Sequence, residues 1–239
     1  MLRAIGQRGA AVEALFLDFY GTLSADDHAA VESACRAVVE SYALPVTSQE
    51  FAVRWGEVFF RTIESANHER FATLHECECR SLVETLRGMG VRPGDPEPHV
   101  AVLKSYWQNP PLHDDVRELL DGLRVPVCCV SNADRDDIES AMALHGLRFD
   151  AYITSECARA YKPEERIFRL AAEKLGVDPA RVMHVGDSLH SDVGGARKLG
   201  IRTTWICREK RIHDVGTCAP DHTIRSLREL PALLGGDTG

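Results

Sequence analysis

Apolar residues along the chain follow two rhythms. Short unbroken runs occur at Ala14-Leu15-Phe16-Leu17, from Val125 through Val127-Cys128-Cys129-Val130, and at Val182-Met183-His184-Val185, each ending abruptly in polar or turn residues. Such runs suit strands covered on both faces. Further strands are predicted at 151–154, 201–206 and near 222–224. The second rhythm is helical. After Leu23, Asp26 and Asp27 can cap a helix reaching Tyr42, with Ala30, Ala34, Ala37, Val38 and Ser41 at helical spacing. Further helices are predicted over 48–64, 68–88 and 97–107, punctuated by Gly94-Asp95-Pro96 and ended by Asn109-Pro110-Pro111. No strand pattern interrupts that stretch.

From Leu112 onward helices alternate with strands: helices are predicted at 114–123, 134–145, 164–175, 191–199 and 226–234. Alternation of this kind predicts an α/β fold, a doubly wound parallel sheet with helices on both faces. The preceding helices then form an all-helical insert, so the expected division is a core of residues 1–24 and 109–239 and an insert of 25–108. The glycine-rich tail, 235–239, is expected to fray.

Composition narrows the function classes. With 239 residues the chain can bury a sizeable core. Its 36 acidic and 28 basic residues give a net charge of −8, which does not attract nucleic acid or an anionic membrane surface. No apolar run is long enough to span a bilayer, and residues 1–12 carry Arg3 and Arg8 without the apolar stretch of a signal peptide. A cytoplasmic protein acting on a small molecule is the expectation; nothing in the sequence reads out an oligomeric state. The eight cysteines lack Cys-x-x-Cys spacing. His75 and Cys79 would share a helix face, but no second pair is spaced to complete four zinc ligands, so reduced cysteines are the preferred reading.

Candidate chemistry sits where the strands end. Asp18, followed by Phe19-Tyr20-Gly21-Thr22, closes the first run, and a carboxylate beside such a turn can act as a nucleophile. Ser131 and Asn132 close the second. Gly186-Asp187-Ser188-Leu189-His190-Ser191-Asp192 closes the third, and Lys162-Pro163 lies between them, ahead of a helix. Three carboxylates, Asp18, Asp187 and Asp192, would repel one another at neighbouring strand ends unless a cation were present, and hard oxygen ligands suit Mg²⁺.

Carboxylate, hydroxyl, lysine and paired carboxylates in this order resemble the haloacid dehalogenase (HAD) superfamily of hydrolases, in its subfamily with a helical cap inserted after the first motif. The resemblance runs from Ala14 to Leu234. It implies a Rossmann-like core, a covalent aspartyl ester on Asp18, oxygen binding by Thr22 and Ser131, with Asn132 completing that motif, and an ionised Asp18 held by Lys162. It further implies Mg²⁺ held by Asp18, Asp187 and the backbone carbonyl of Tyr20, with Asp192 orienting a water of the ion.

The motifs disagree on the reaction. Family phosphatases carry a second Asp, a general acid, where this chain has Tyr20; haloacid dehalogenases carry Tyr, because a halide leaves without a proton. The last motif points the other way. Dehalogenases use no metal and have small polar residues where this chain has Asp187, and their aromatic hydroxyl six positions after the lysine is Phe168 here. Their substrate arginine has candidates in Arg54, Arg61 and Arg70. A Mg²⁺-dependent phosphatase of a small phosphorylated metabolite is the preferred expectation. A metal-independent 2-haloacid dehalogenase and a non-catalytic binder of a phosphorylated ligand remain the alternatives.

Overall fold

The computed structural model describes residues 11–25, 27–208 and 218–234. The readings made on Asp26, on the first ten residues and on the tail 235–239 fall outside them. Six strands, β1 (Ala14–Leu17), β2 (Val127–Ser131), β3 (Ala151–Thr154), β4 (Val182–Gly186), β5 (Arg202–Ile206) and β6 (His222–Ile224), form one all-parallel sheet in the order β3-β2-β1-β4-β5-β6. The α/β class is as expected.

Strand alternation divides each apolar run between the two faces. Leu15 and Leu17, with Val127, Cys129, Met183 and Val185, pack on one face against helices α5 (Val116–Gly122) and α6 (Arg135–His145). Ala14 and Phe16, with Cys128, Val130 and Val182, pack on the other against α8 (Glu165–Leu175), through Ile167, Phe168 and Ala171. Both faces are therefore dry, which explains why these strands read as continuous apolar runs. A one-turn helix, α7 (Ser155–Ala158), follows β3.

Between β1 and α5 run four α-helices: α1 (His28–Ser41), α2 (Ser48–Ser65), α3 (Leu74–Gly88) and α4 (Glu97–Gln108). They enclose a core of their own, in which Ala34, Val38, Phe51, Trp55, Leu82, Leu86, Val100 and Leu103 are buried. The indole N–H of Trp55 donates to Ser81 Oγ at 2.9 Å, so the largest ring there leaves no polar atom stranded.

Three predicted helices differ in the structure. The segment 68–88 is not continuous: His68–Arg70 forms a tight turn entered at φ 58°, and α3 starts only after Thr73. Thr73 Oγ1 accepts from Glu76 N–H while the Glu76 carboxylate accepts from Thr73 N–H, a reciprocal cap that fixes the helix start. The segment 191–199 instead begins as a widened π-helical turn, Leu189–Gly194, followed by the short α9 (Gly195–Arg197). Ser188 O there accepts from both Asp192 N–H and Val193 N–H at 3.1 Å, and the extra residue in the turn directs Asp192 inward. The last helix likewise splits into a 3₁₀ turn at Leu227–Glu229 and α10 (Leu230–Leu234).

Candidate active site

The strand order locates the crevice. The chain leaves β1 for β2 on one side, while β4 pairs on the other, so residues just past β1, β2 and β4 share the switch point at the carboxyl end of the sheet. Asp18, Ser131 and Asp187 occupy those places, all buried.

The turn after β1 is wound tightly: Leu23 N–H and Ser24 N–H both donate to Phe19 O, at 2.8 and 2.9 Å. It passes through Gly21 at φ 83°, a left-handed conformation that favours glycine. Thr22 is thereby turned back toward the carboxylates, with Oγ1 3.3 Å from Asp18 Oδ2 and 3.4 Å from Asp187 Oδ1. A hydroxyl has one proton to donate, so the two carboxylates compete for it.

Lys162 enters from the loop before α8. Its Nζ donates to Asp18 Oδ1 at 2.6 Å, to Asp192 Oδ1 at 2.7 Å and to Val130 O at 3.0 Å, which uses all three ammonium protons. Burial opposes its charge, but Asp18 and then Asp192 outweigh that and hold the lysine above its ordinary pKa. Asn132 works on the backbone rather than on the reacting groups: its Oδ1 accepts from Lys162 N–H at 2.7 Å and its amide donates to Lys162 O at 3.2 Å.

Asp192 is held from three sides. Besides Lys162 it is bonded to His184 Nε2 at 2.9 Å and accepts from Ser188 N–H at 3.0 Å. Burial alone would raise its pKa; Lys162 and His184 overcome this and hold it well below the usual carboxylate range. Its approach requires Gly186, since a Cβ there would stand 2.2 Å from Asp192 Cγ. One oxygen from each of Asp18, Asp187 and Asp192 lies within 4.8 Å of the others, so the three predicted carboxylates do converge.

Tyr20 departs from the rest. Its hydroxyl donates to Trp107 O at 2.6 Å, its ring meets the Trp107 ring edge-on at 4.9 Å, and burial pushes its pKa well above the ordinary value. Its proton is thus committed to the α4 backbone. The arginine candidates Arg54, Arg61 and Arg70 are all exposed, and Phe168 is buried against His184.

Three contributors escaped the sequence reading. His184 looked like an ordinary strand position; a histidine inside an apolar run was the available signal. Trp205 donates its indole N–H to Asp187 O at 2.9 Å. Arg208 clamps the first turn, giving NH2 to Thr22 O at 3.1 Å while paired with Asp115 at 2.8 and 2.9 Å. Nothing in the sequence links those partners.

Residues 12–200 match the haloacid dehalogenase-like hydrolases, and the chain belongs to that family of hydrolases. It is 26% identical to the (S)-2-haloacid dehalogenase of Pseudomonas sp. strain YL over 231 residues, 93% of this chain and 94% of the other. It is 32% identical to the N-acylneuraminate-9-phosphatase of Mus musculus over 128 residues, 52% of each chain. The chain thus spans about half the length of some curated relatives it matches. The HAD hydrolase YfnB of Bacillus subtilis, solved with magnesium bound, shares the fold at TM-score 0.74 and 21% identity, covering 94% of this chain and 99% of that one. Among the described residues no helix is long and apolar enough to cross a membrane.

Proposed function

We propose that this hydrolase is a Mg²⁺-dependent phosphatase of a small phosphorylated metabolite, with Asp18 as nucleophile and helices α1 to α4 as its cap. One observation carries the reading: three buried carboxylates converge around one lysine. That excess of buried negative charge calls for a cation, and an all-oxygen donor set suits Mg²⁺. Asp18, Asp187 and the Tyr20 carbonyl would hold it, and when bound it would offset the charge of the phosphoryl group. Asp192, already accepting from Lys162, His184 and Ser188, we assign to positioning the lysine.

Asp18 attacks phosphorus as the bond to the leaving oxygen breaks; water then cleaves the acyl phosphate, returning the carboxylate and releasing phosphate. Lys162, bonded to Asp18, orients it and offsets developing charge, while Thr22 and Ser131 bind the transferred oxygens. Tyr20 supplies no proton to the leaving group, because its hydroxyl is spent on Trp107. Turnover should therefore fall steeply as leaving-group pKa rises.

A second reading, a metal-independent 2-haloacid dehalogenase, is favoured by Tyr20 itself, since halide needs no proton, and by a dehalogenase relative matched over nearly the whole chain. Incubation with an aryl phosphate and with a 2-haloacid, each with Mg²⁺ and with chelator, separates the two. Phosphate release only with Mg²⁺ supports the phosphatase. Halide release in chelator supports the dehalogenase, and silence on both substrates leaves a binder of phosphorylated ligands.

A further inference from the structure

A second cluster of potential ligands lies in the helical layer. His75 and Cys79 are one turn apart on α3, and Glu97 opens α4 beside them. His75 Nε2 is 2.9 Å from Glu97 Oε2 and 3.9 Å from Cys79 Sγ, and Cys79 Sγ is 3.7 Å from Glu97 Oε2. With metal–nitrogen and metal–oxygen distances of about 2.0 Å and metal–sulfur of about 2.3 Å, the edges of a tetrahedron around zinc measure about 3.3 to 3.6 Å. The three atoms already form nearly that triangle.

The group behind them carries the inference further. His75 Nδ1 and Glu78 Oε2 are both buried without a hydrogen-bond partner and stand 3.9 Å apart, with the Glu78 side chain only 3% exposed. Leaving two polar atoms so is unfavourable unless something orients the ring. A cation on Nε2 does this: it fixes the proton on Nδ1, which then donates to the carboxylate behind it, the usual support for a metal-bound histidine.

We propose that His75, Cys79 and Glu97 form a binding site for a zinc-like divalent cation that ties α3 to α4, with Glu78 supporting His75 and water filling the open position. Mixed nitrogen, sulfur and oxygen donors favour zinc over magnesium, which sets this site apart from the strand-end carboxylates. Binding forms a metal–thiolate bond and releases the Cys79 thiol proton to solvent.

The full chain, in excess Mg²⁺ to saturate the carboxylates, is titrated with Co²⁺ and then Zn²⁺. One equivalent of Co²⁺ should give near-ultraviolet thiolate-to-cobalt absorption, which Zn²⁺ removes. Cys79→Ser should abolish the band, and Glu78→Gln should weaken Zn²⁺ about 10- to 100-fold. Absence of the band, or its survival in Cys79→Ser, overturns the proposal. Should Cys79→Ser fail to fold, the exposed Glu97→Gln decides instead: a loss of tenfold or more in Zn²⁺ affinity supports the site, and unchanged affinity overturns it.

Discussion

Two buried groups of ionisable side chains in this protein are built on opposite rules. At the strand ends the lysine bridges two buried carboxylates: Lys162 lies 2.6 Å from Asp18 and 2.7 Å from Asp192, and Asp192 also meets His184. In the helical layer Glu78 is equally buried, yet its one hydrogen bond comes from Trp107 Nε1 at 2.8 Å, and burial pushes its pKa up to about 8. The first arrangement fixes the position of the Asp18 carboxylate, as the proposed attack requires. The second keeps a carboxylate close to neutral and in reserve. Burial alone therefore does not mark a catalytic acid; the partners decide which protonation state the site stores.

The most severe way to break the strand-end arrangement is to remove its proposed nucleophile. Asp18→Asn keeps the volume but cannot form the aspartyl intermediate, so turnover of an aryl phosphate should fall by about 10³-fold or more. Circular dichroism should be unchanged. Retention of a tenth of the parent rate would remove Asp18 from the covalent role.

Lys162→Met tests the same comparison through stability. It leaves Asp18 and Asp192 buried without their ammonium, and breaking a buried ion pair in this way costs about 3–5 kcal/mol, measurable by urea unfolding at neutral pH. Glu78→Gln is the matched change in the helices. Gln mimics the neutral acid and retains an oxygen for Trp107, so stability should stay within about 1 kcal/mol. Equal losses would mean that both groups store charge alike.

The sheet and the residues gathered at its strand ends are legible because they depend on local signals. Strands buried on both faces must be apolar at every position, and β1, β2 and β4 each run directly into the residues that form the site. What stayed hidden depends on partners distant in sequence. Asn132 is read as completing the second motif, yet its side chain clips the Lys162 backbone 30 residues away. Asp192 is read as one of three converging carboxylates, but its bonds to Lys162 and His184 come from other elements and are not signalled in its own segment. Glu97 lies 22 residues from His75 and on another helix, so a four-ligand spacing rule passes over it. The reading of 68–88 as one helix failed for a related reason, because apolar periodicity does not register where a capping box restarts the chain.

A third test lies at the first turn, which Arg208 holds together with Asp115. Asp115 is buried, and although burial works against it, hydrogen bonds from Arg208, Ser226 and Leu227 lower its pKa to about 2. The unfolded chain has this pKa at about 3.9 and so binds the proton more readily. The resulting stabilisation is fully present above pH 4 and is lost as pH falls through about 2, on the order of 2 kcal/mol. Asp115→Asn should flatten this part of the stability–pH curve. An unchanged acid limb in the variant would show that other carboxylates carry it.

The smallest expected effect compares two helix starts of identical design. Thr47 and Thr73 each accept from the backbone N–H three residues on, and Glu50 and Glu76 each reach back to the cap N–H. The difference lies in the neighbours. Thr47 stands alone on α2, whereas α3 has a second acceptor in Asp134, whose carboxylate takes Leu74 N–H at 2.7 Å and His75 N–H at 3.0 Å. Thr47→Ala should therefore cost about 1 kcal/mol, the usual loss of a threonine cap. Thr73→Ala should cost less, because two of the first N–H groups of α3 remain satisfied and the third is left where water can reach it. Urea unfolding of both variants measures the difference. If Thr73→Ala proves the costlier, the capping box and not Asp134 holds the start of α3, and the helical layer depends less on the residues following β2 than their contact suggests.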